Sequence, residues 1–157
     1  MRQYKYAVIV AVLCVFVIVP AETAERGQYG LGFQSSFPAW GLSGMYDLNR
    51  DISLQAILGP LGNLNTFAGR GLYRFQHEDD WNLYGYGMLG IWTHSFIGET
   101  FSSIGFGFGA GLEYDWRAFS EDLPPLFWNL ELGVGFVDLD HYNFSTLMIG
   151  VGVHYRF

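Results

Sequence analysis

Residues 104 to 116 read IGFGFGAGLEYDW, and the period of this stretch decides the fold. Ile104, Phe106, Phe108, Ala110, Leu112, Tyr114 and Trp116 fall on one side of an extended chain. Gly105, Gly107, Gly109, Gly111, Glu113 and Asp115 fall on the other. A repeat of two is the signature of a strand with two unlike faces, because successive side chains of a strand point in opposite directions. Here one face is large and apolar, and the other is glycine and carboxylate.

Working outward, the same period recurs. Leu147, Ile149, Val151, Val153, Tyr155 and Phe157 oppose Met148, Gly150, Gly152, His154 and Arg156. Leu126 to Val137 sets Leu126, Trp128, Leu130, Leu132, Val134 and Phe136 against Asn129, Glu131, Gly133 and Gly135. Trp40 to Leu48, Ile52 to Leu58, Phe67 to Phe75 and the short Tyr29 to Phe33 alternate as well. Asn82 to Trp92 is blurred by Met88, Leu89 and Ile91, and a β-bulge there would explain the slip. Eight strands are therefore expected, joined by turns at Asn49 to Asp51, Gln76 to Asp80 and Arg117 to Pro124 on one end. The other end is expected to carry loops at Ser35 to Ala39, Gly59 to Asn65, Ser95 to Ser103 and Asp138 to Phe144.

A soluble small barrel would turn the aromatic face inward and leave a water-facing surface made largely of glycine, a costly residue in strands. A membrane barrel turns the aromatic face to lipid and lines a narrow interior with glycines and a few charges. Bilayers admit closed barrels because closure pairs every backbone group. The second arrangement fits the tryptophans. With both termini on the periplasmic side, Trp81, Trp116 and Trp128 fall near one edge of the lipid band, and Trp40 and Trp92 near the other. The predicted fold is an all-β, eight-stranded, antiparallel up-and-down transmembrane barrel.

The first residues have a different character. Arg2 and Lys5 precede an unbroken apolar run from Ala7 to Val19, and small residues follow at Ala21 and Ala24. This is the layout of a secretory signal peptide; the run is too short for a membrane-spanning helix, which needs about 20 residues. The expected division is residues 1–24 as signal peptide, cleaved after Ala21 or Ala24, and 25–157 as barrel. Cys14, the single cysteine, and Lys5, the single lysine, leave with the signal peptide. The remainder can form no disulfide. Its acidic balance, from a formal net charge of −7 for the whole chain, argues against nucleic acid, which calls for a basic stripe.

The ending Tyr155-Arg156-Phe157, after apolar residues at every second position, resembles the terminal strand of outer-membrane barrels. In strand number and topology the chain resembles the small OmpA/OmpX-like eight-stranded family. The resemblance implies residence in the outer membrane of a Gram-negative bacterium, with lipid and lipopolysaccharide as neighbours. It also implies that Tyr155 and Phe157 serve as a signal to the barrel-assembly machinery. The short outer loops depart from that family and leave less surface for adhesion or receptor roles.

Arg70 and Arg74 share the inward face with Glu113 and Glu131, and Gln55, Asp47 and Asp115 are further candidates. One reading is a polar gate or small ion path. The other is a structural network, since buried charges must pair and side chains nearly fill an eight-stranded barrel; the structural reading is favoured. His141, with Asp138, Asp140, Asn143 and Ser145, lies in the last outer loop. A lipid A deacylase barrel uses a His/Ser/Glu set, but His141 and Ser145 do not have that family's spacing. His94 with Ser95 is equally weak, and His77 with Glu78, Asp79 and Asp80 reads as a charged turn. The Gly-x-Gly runs lack the strand-turn-helix context of a phosphate site. No catalytic set, metal site or cofactor is expected. The leading expectation is a monomeric barrel with a structural or interaction role and a filled lumen. A narrow channel and an outer-leaflet lipid-modifying enzyme are the alternatives.

Overall fold

The computed structural model describes residues 28–61, 64–96, 99–139 and 142–157. Residues 1–24, expected to be a signal peptide, lie outside the described residues with Asp140 and His141, as do the side chains of Ser95, Asp138, Asn143 and Ser145. Eight strands follow one another: β1 Tyr29–Ser36, β2 Ala39–Asp47, β3 Ile52–Leu61, β4 Leu64–His77, β5 Trp81–Phe96, β6 Glu99–Asp115, β7 Leu126–Leu139 and β8 Tyr142–Arg156. Each pairs antiparallel with its sequence neighbours, and β1 pairs with β8 to close a barrel. Closure removes the two sheet edges over the paired lengths, Gly30–Ser36 of β1 against Gly150–Arg156 of β8. The seam continues to the last residue, where Phe157 and Tyr29 exchange backbone hydrogen bonds of 2.9 and 3.3 Å.

Both described termini share one end with the turns at 48–51, 78–80 and 116–125; this is the termini end. At the opposite, hairpin end, β1 and β2 are joined by Phe37-Pro38, whose peptide bond is cis. The other three hairpins pair right up to Leu61↔Leu64, Phe96↔Glu99 and Leu139↔Tyr142, leaving two residues in each connection. The longer loops expected there are thus mostly strand. Backbone pairing does not require an apolar alternation, and polar side chains such as Thr93 and Ser102, 3.2 Å apart across β5 and β6, fit a ladder as well. At Gly41 φ is +145°, and a Cβ would run into the carbonyl of Leu58 on β3, so the site suits glycine alone.

The two faces are those read from the period. Outward side chains are strongly exposed, with Ile104 at 76 % and Leu89 at 67 %. Inward ones are sealed. The bulge is not in β5 but in β4, between Arg74 and Gln76. In β5 the alternation is regular, with Met88 and Trp92 buried and Leu89 and Ile91 outward. The pattern is blurred in sequence because one part of the lumen is itself apolar, which puts large hydrophobic residues on both faces of one strand.

Candidate functional site

The concave, chemistry-bearing space that barrel closure creates is the lumen, and it is filled by two kinds of material. Near the termini end, Arg74 (β4), Arg156 (β8), Asp47 (β2) and Glu113 (β6) alternate around a ring. Arg156 donates to Asp47 at 2.8 Å and to Glu113 at 2.7 Å; Arg74 reaches the same two carboxylates at 3.4 Å each. Ser53 donates to Asp47 and accepts from Arg74 Nη1 at 2.7 Å. The Arg156 guanidinium also lies 4.4 Å from the centre of the Phe127 ring. Glu113 is 2 % exposed, a position that a carboxylate holds only when paired.

Further along the lumen Glu131 (β7) is the hub. Its Oε1 accepts from Arg70 Nη2 at 2.7 Å and from the Tyr84 hydroxyl at 2.6 Å. Its Oε2 accepts from Ser36 at 2.6 Å and Gln34 at 3.1 Å. Gln34 and Asn129 exchange side-chain hydrogen bonds of 3.0 and 3.2 Å. Beside this hub, Ser43 contacts His154 at 2.8 Å and accepts from Gln55 at 2.7 Å. Ser43 and His154 are each 1 % exposed.

Toward the hairpin end the polar groups give way to Ala39, Ile57, Ala68, Met88, Trp92, Val137 and Met148. The Trp92 indole lies over Gly90 and Gly105, where a Cβ would collide with the ring. Its N–H donates to the Pro38 carbonyl at 2.9 Å, and Thr66 donates to the same oxygen at 3.4 Å. The tryptophan pattern places Trp92 at the lipid edge; in the fold it is 0 % exposed and faces inward. Its indole fills a lumen whose walls here are alanine and glycine, and the one polar atom has an acceptor.

The remaining expected residues fall as follows. Arg70 and Glu131 meet, as do Arg74 and Glu113, and Asp47 and Gln55 join them inside. Asp115 does not: it turns to Arg117 in the 116–118 single 3-10 turn, 2.5 Å at its closest, because it sits at the mouth, where the turn supplies a nearer cation. That hydrogen bond raises the Arg117 guanidinium above its ordinary value. Trp40 lies at the hairpin end near Phe33, ring centres 6.1 Å apart, and Trp128 at the termini end near Tyr114 at 5.8 Å. Trp116 is 37 % exposed and Trp81 half-buried, both at the termini end. Tyr155 and Phe157 pack together at the β1–β8 seam, ring centres 6.4 Å apart. His77 contacts Asp51 at 3.3 Å across two turns, and His94 is half-buried in β5. Sequence reasoning misses Arg156, Tyr84, Gln34, Ser36, Ser43, Ser53, Asn129 and His154 as members of the network. Arg156 and His154 are on the inward face of β8 by period alone; nothing in the sequence marks Tyr84.

The architecture has solved counterparts. Neisserial surface protein A matches with 16 % identity and a TM-score of 0.50, over 82 % of this chain and 93 % of that one. The de novo designed TMB2.3 matches with 18 % identity and a TM-score of 0.48, over 86 % and 98 %. Ail, the attachment invasion locus protein of Yersinia pestis, matches with 17 % identity and a TM-score of 0.33, over 81 % and 93 %. The chain has the fold of the small eight-stranded barrels. At these identities the likeness is one of fold alone. No family model matches the sequence, and no curated protein matches it.

Proposed function

We propose that this protein is an integral barrel of a Gram-negative outer membrane with a structural or interaction role, its lumen closed to transport. One observation carries the reading: the barrel is apolar outside and charge-paired inside. A continuous outer belt running through Leu31, Leu42, Leu89, Ile104, Leu132 and Leu147, each more than half exposed, far exceeds the apolar patches that water-soluble monomers tolerate. Hydrocarbon removes that cost and is satisfied by a closed barrel. Export through the basic and apolar segment of residues 1–24, and assembly as a monomer by the barrel-assembly machinery, follow from the same reading. Lipid and lipopolysaccharide are then the outward partners.

The closed lumen favours scaffold over channel and over catalysis. Along the lumen from the hairpin end, Trp92, Met88, Ile57, Val137 and Met148 come before the Arg70–Glu131 pair. The test is membrane fractionation of the expressed protein, then conductance of the purified barrel in a planar bilayer. Outer-membrane recovery with no resolvable current is expected. Recovery in a soluble fraction would overturn the membrane placement, and steady single-channel steps would overturn the closed lumen.

A further inference from the structure

Four buried polar atoms have no hydrogen-bond partner among the described residues: Gln55 Oε1, Arg70 Nε, Arg70 Nη1 and the Tyr86 hydroxyl. They belong to one neighbourhood. Gln55 and Arg70 face each other across the β3–β4 ladder, and the Arg70 guanidinium carbon lies 4.0 Å from the centre of the Tyr86 ring. Gln55 and Arg70 are 3 % exposed and Tyr86 5 %. Arg70 therefore uses one nitrogen on Glu131 and leaves Nε and Nη1, with three N–H bonds between them, without a protein acceptor in hydrogen-bond reach among the described residues. Leaving a buried donor unsatisfied is costly, and more so for a charged group. Buried polar atoms are accordingly paired with protein or with ordered water.

Charge decides what the partner is. Three guanidinium groups, Arg70, Arg74 and Arg156, face three carboxylates, Asp47, Glu113 and Glu131, and every one is in contact with an opposite charge. An anion would add an uncompensated charge to a low-dielectric interior, and a cation would meet the N–H groups of Arg70. The group that fits is small, neutral, and both donor and acceptor. A buried water making about three hydrogen bonds has those properties.

We propose that the middle of the lumen holds a sealed hydration site. Arg70 Nε and Nη1 donate to internal water, which in turn donates to Gln55 Oε1, with the Tyr86 hydroxyl as a further partner. The site is closed toward the hairpin end by Trp92 and its apolar neighbours, and toward the termini end by the ring of Arg74, Asp47, Arg156 and Glu113. Water held there keeps the Arg70–Glu131 pair satisfied without opening a path through the barrel.

The test uses the whole folded barrel, uniformly labelled with nitrogen-15 in detergent micelles, and reads magnetisation transfer from water to side-chain N–H protons. The Arg70 Nε–H resonance is assigned by its loss in Arg70→Lys or, if that variant does not fold, by through-bond correlation. Transfer to Arg70 Nε–H with the sign of a long-lived water, and none to the Trp92 indole N–H in the dry segment, is expected. Absence of transfer to Arg70 overturns the site. Transfer to both Arg70 and Trp92 also overturns it, because water would then run through the lumen rather than rest in a sealed site.

Discussion

Glu131 and Trp92 both point into the lumen and both are sealed, at 2 % and 0 % exposure, yet they are held by opposite means. Glu131 is fixed by four donors from β1, β4 and β5, and every donor contributes direction as well as attraction. Trp92 is fixed by shape, with alanine and glycine walls around a large ring and a single hydrogen bond to Pro38. The contrast teaches how a narrow barrel can be plugged twice. A charged plug specifies which strands face one another, because a misplaced carboxylate is left unpaired. An apolar plug excludes water, because it offers nothing for water to bond.

The comparison yields graded expectations. Glu131→Gln should destabilise the barrel most, by about 3–5 kcal/mol, since it strands the buried Arg70 charge. Adding Arg70→Met should recover part of the loss, and urea unfolding in lipid vesicles measures both. A double variant no more stable than Glu131→Gln would mean that the pair is not the source of the cost.

On the outer face, where Leu130 is 49 % exposed, Leu130→Arg puts a charge into the lipid that the proposed membrane placement requires and should cost about 2–4 kcal/mol in the same titration. Gly135→Ser, on the inward face, should cost less. The reverse order would mean that the faces are inverted and that the inside-outside contrast fails.

Within the charged part, Asp47→Asn should cost about 1.5–3 kcal/mol, the scale of a hydrogen bond to a charged group. Asp47 lies nearer the mouth, with its side chain 18 % exposed, so its arginine partners keep some access to water. A loss as large as that of Glu131→Gln would erase the distinction between mouth and centre.

The smallest effect is expected in the dry part. Trp92→Phe keeps most of the ring and removes the N–H, leaving Pro38 the bond from Thr66; the expected cost is about 1 kcal/mol. Bilayer conductance should stay at baseline. A conducting Trp92→Phe barrel would show that the indole, rather than the packed layer around it, makes the seal.

Much of the charged plug is legible in the sequence. The inward placement of Arg70, Arg74, Glu113 and Glu131 follows from their parity along strands whose other face is apolar, and parity survives errors in strand length. Trp92 escapes the same reasoning for a physical reason. Its sequence neighbours Leu89 and Ile91 are outward hydrophobics, and a tryptophan among hydrophobics in a strand with an apolar outer face resembles an interfacial anchor. Only the small residues Ala39, Ala68 and Gly105, all on other strands, reveal the inward space that takes it.

The sequence by itself determined the period, hence the strands and their two faces, because side-chain alternation is a property of each extended segment alone; the short connections then require antiparallel neighbours. The tertiary structure decided which inward groups meet. Arg156 reaches Asp47, 109 positions away, and Gln34 reaches Glu131, 97 positions away. Such contacts depend on closure of β1 onto β8 and on the register of all eight strands together, and no local pattern carries that information.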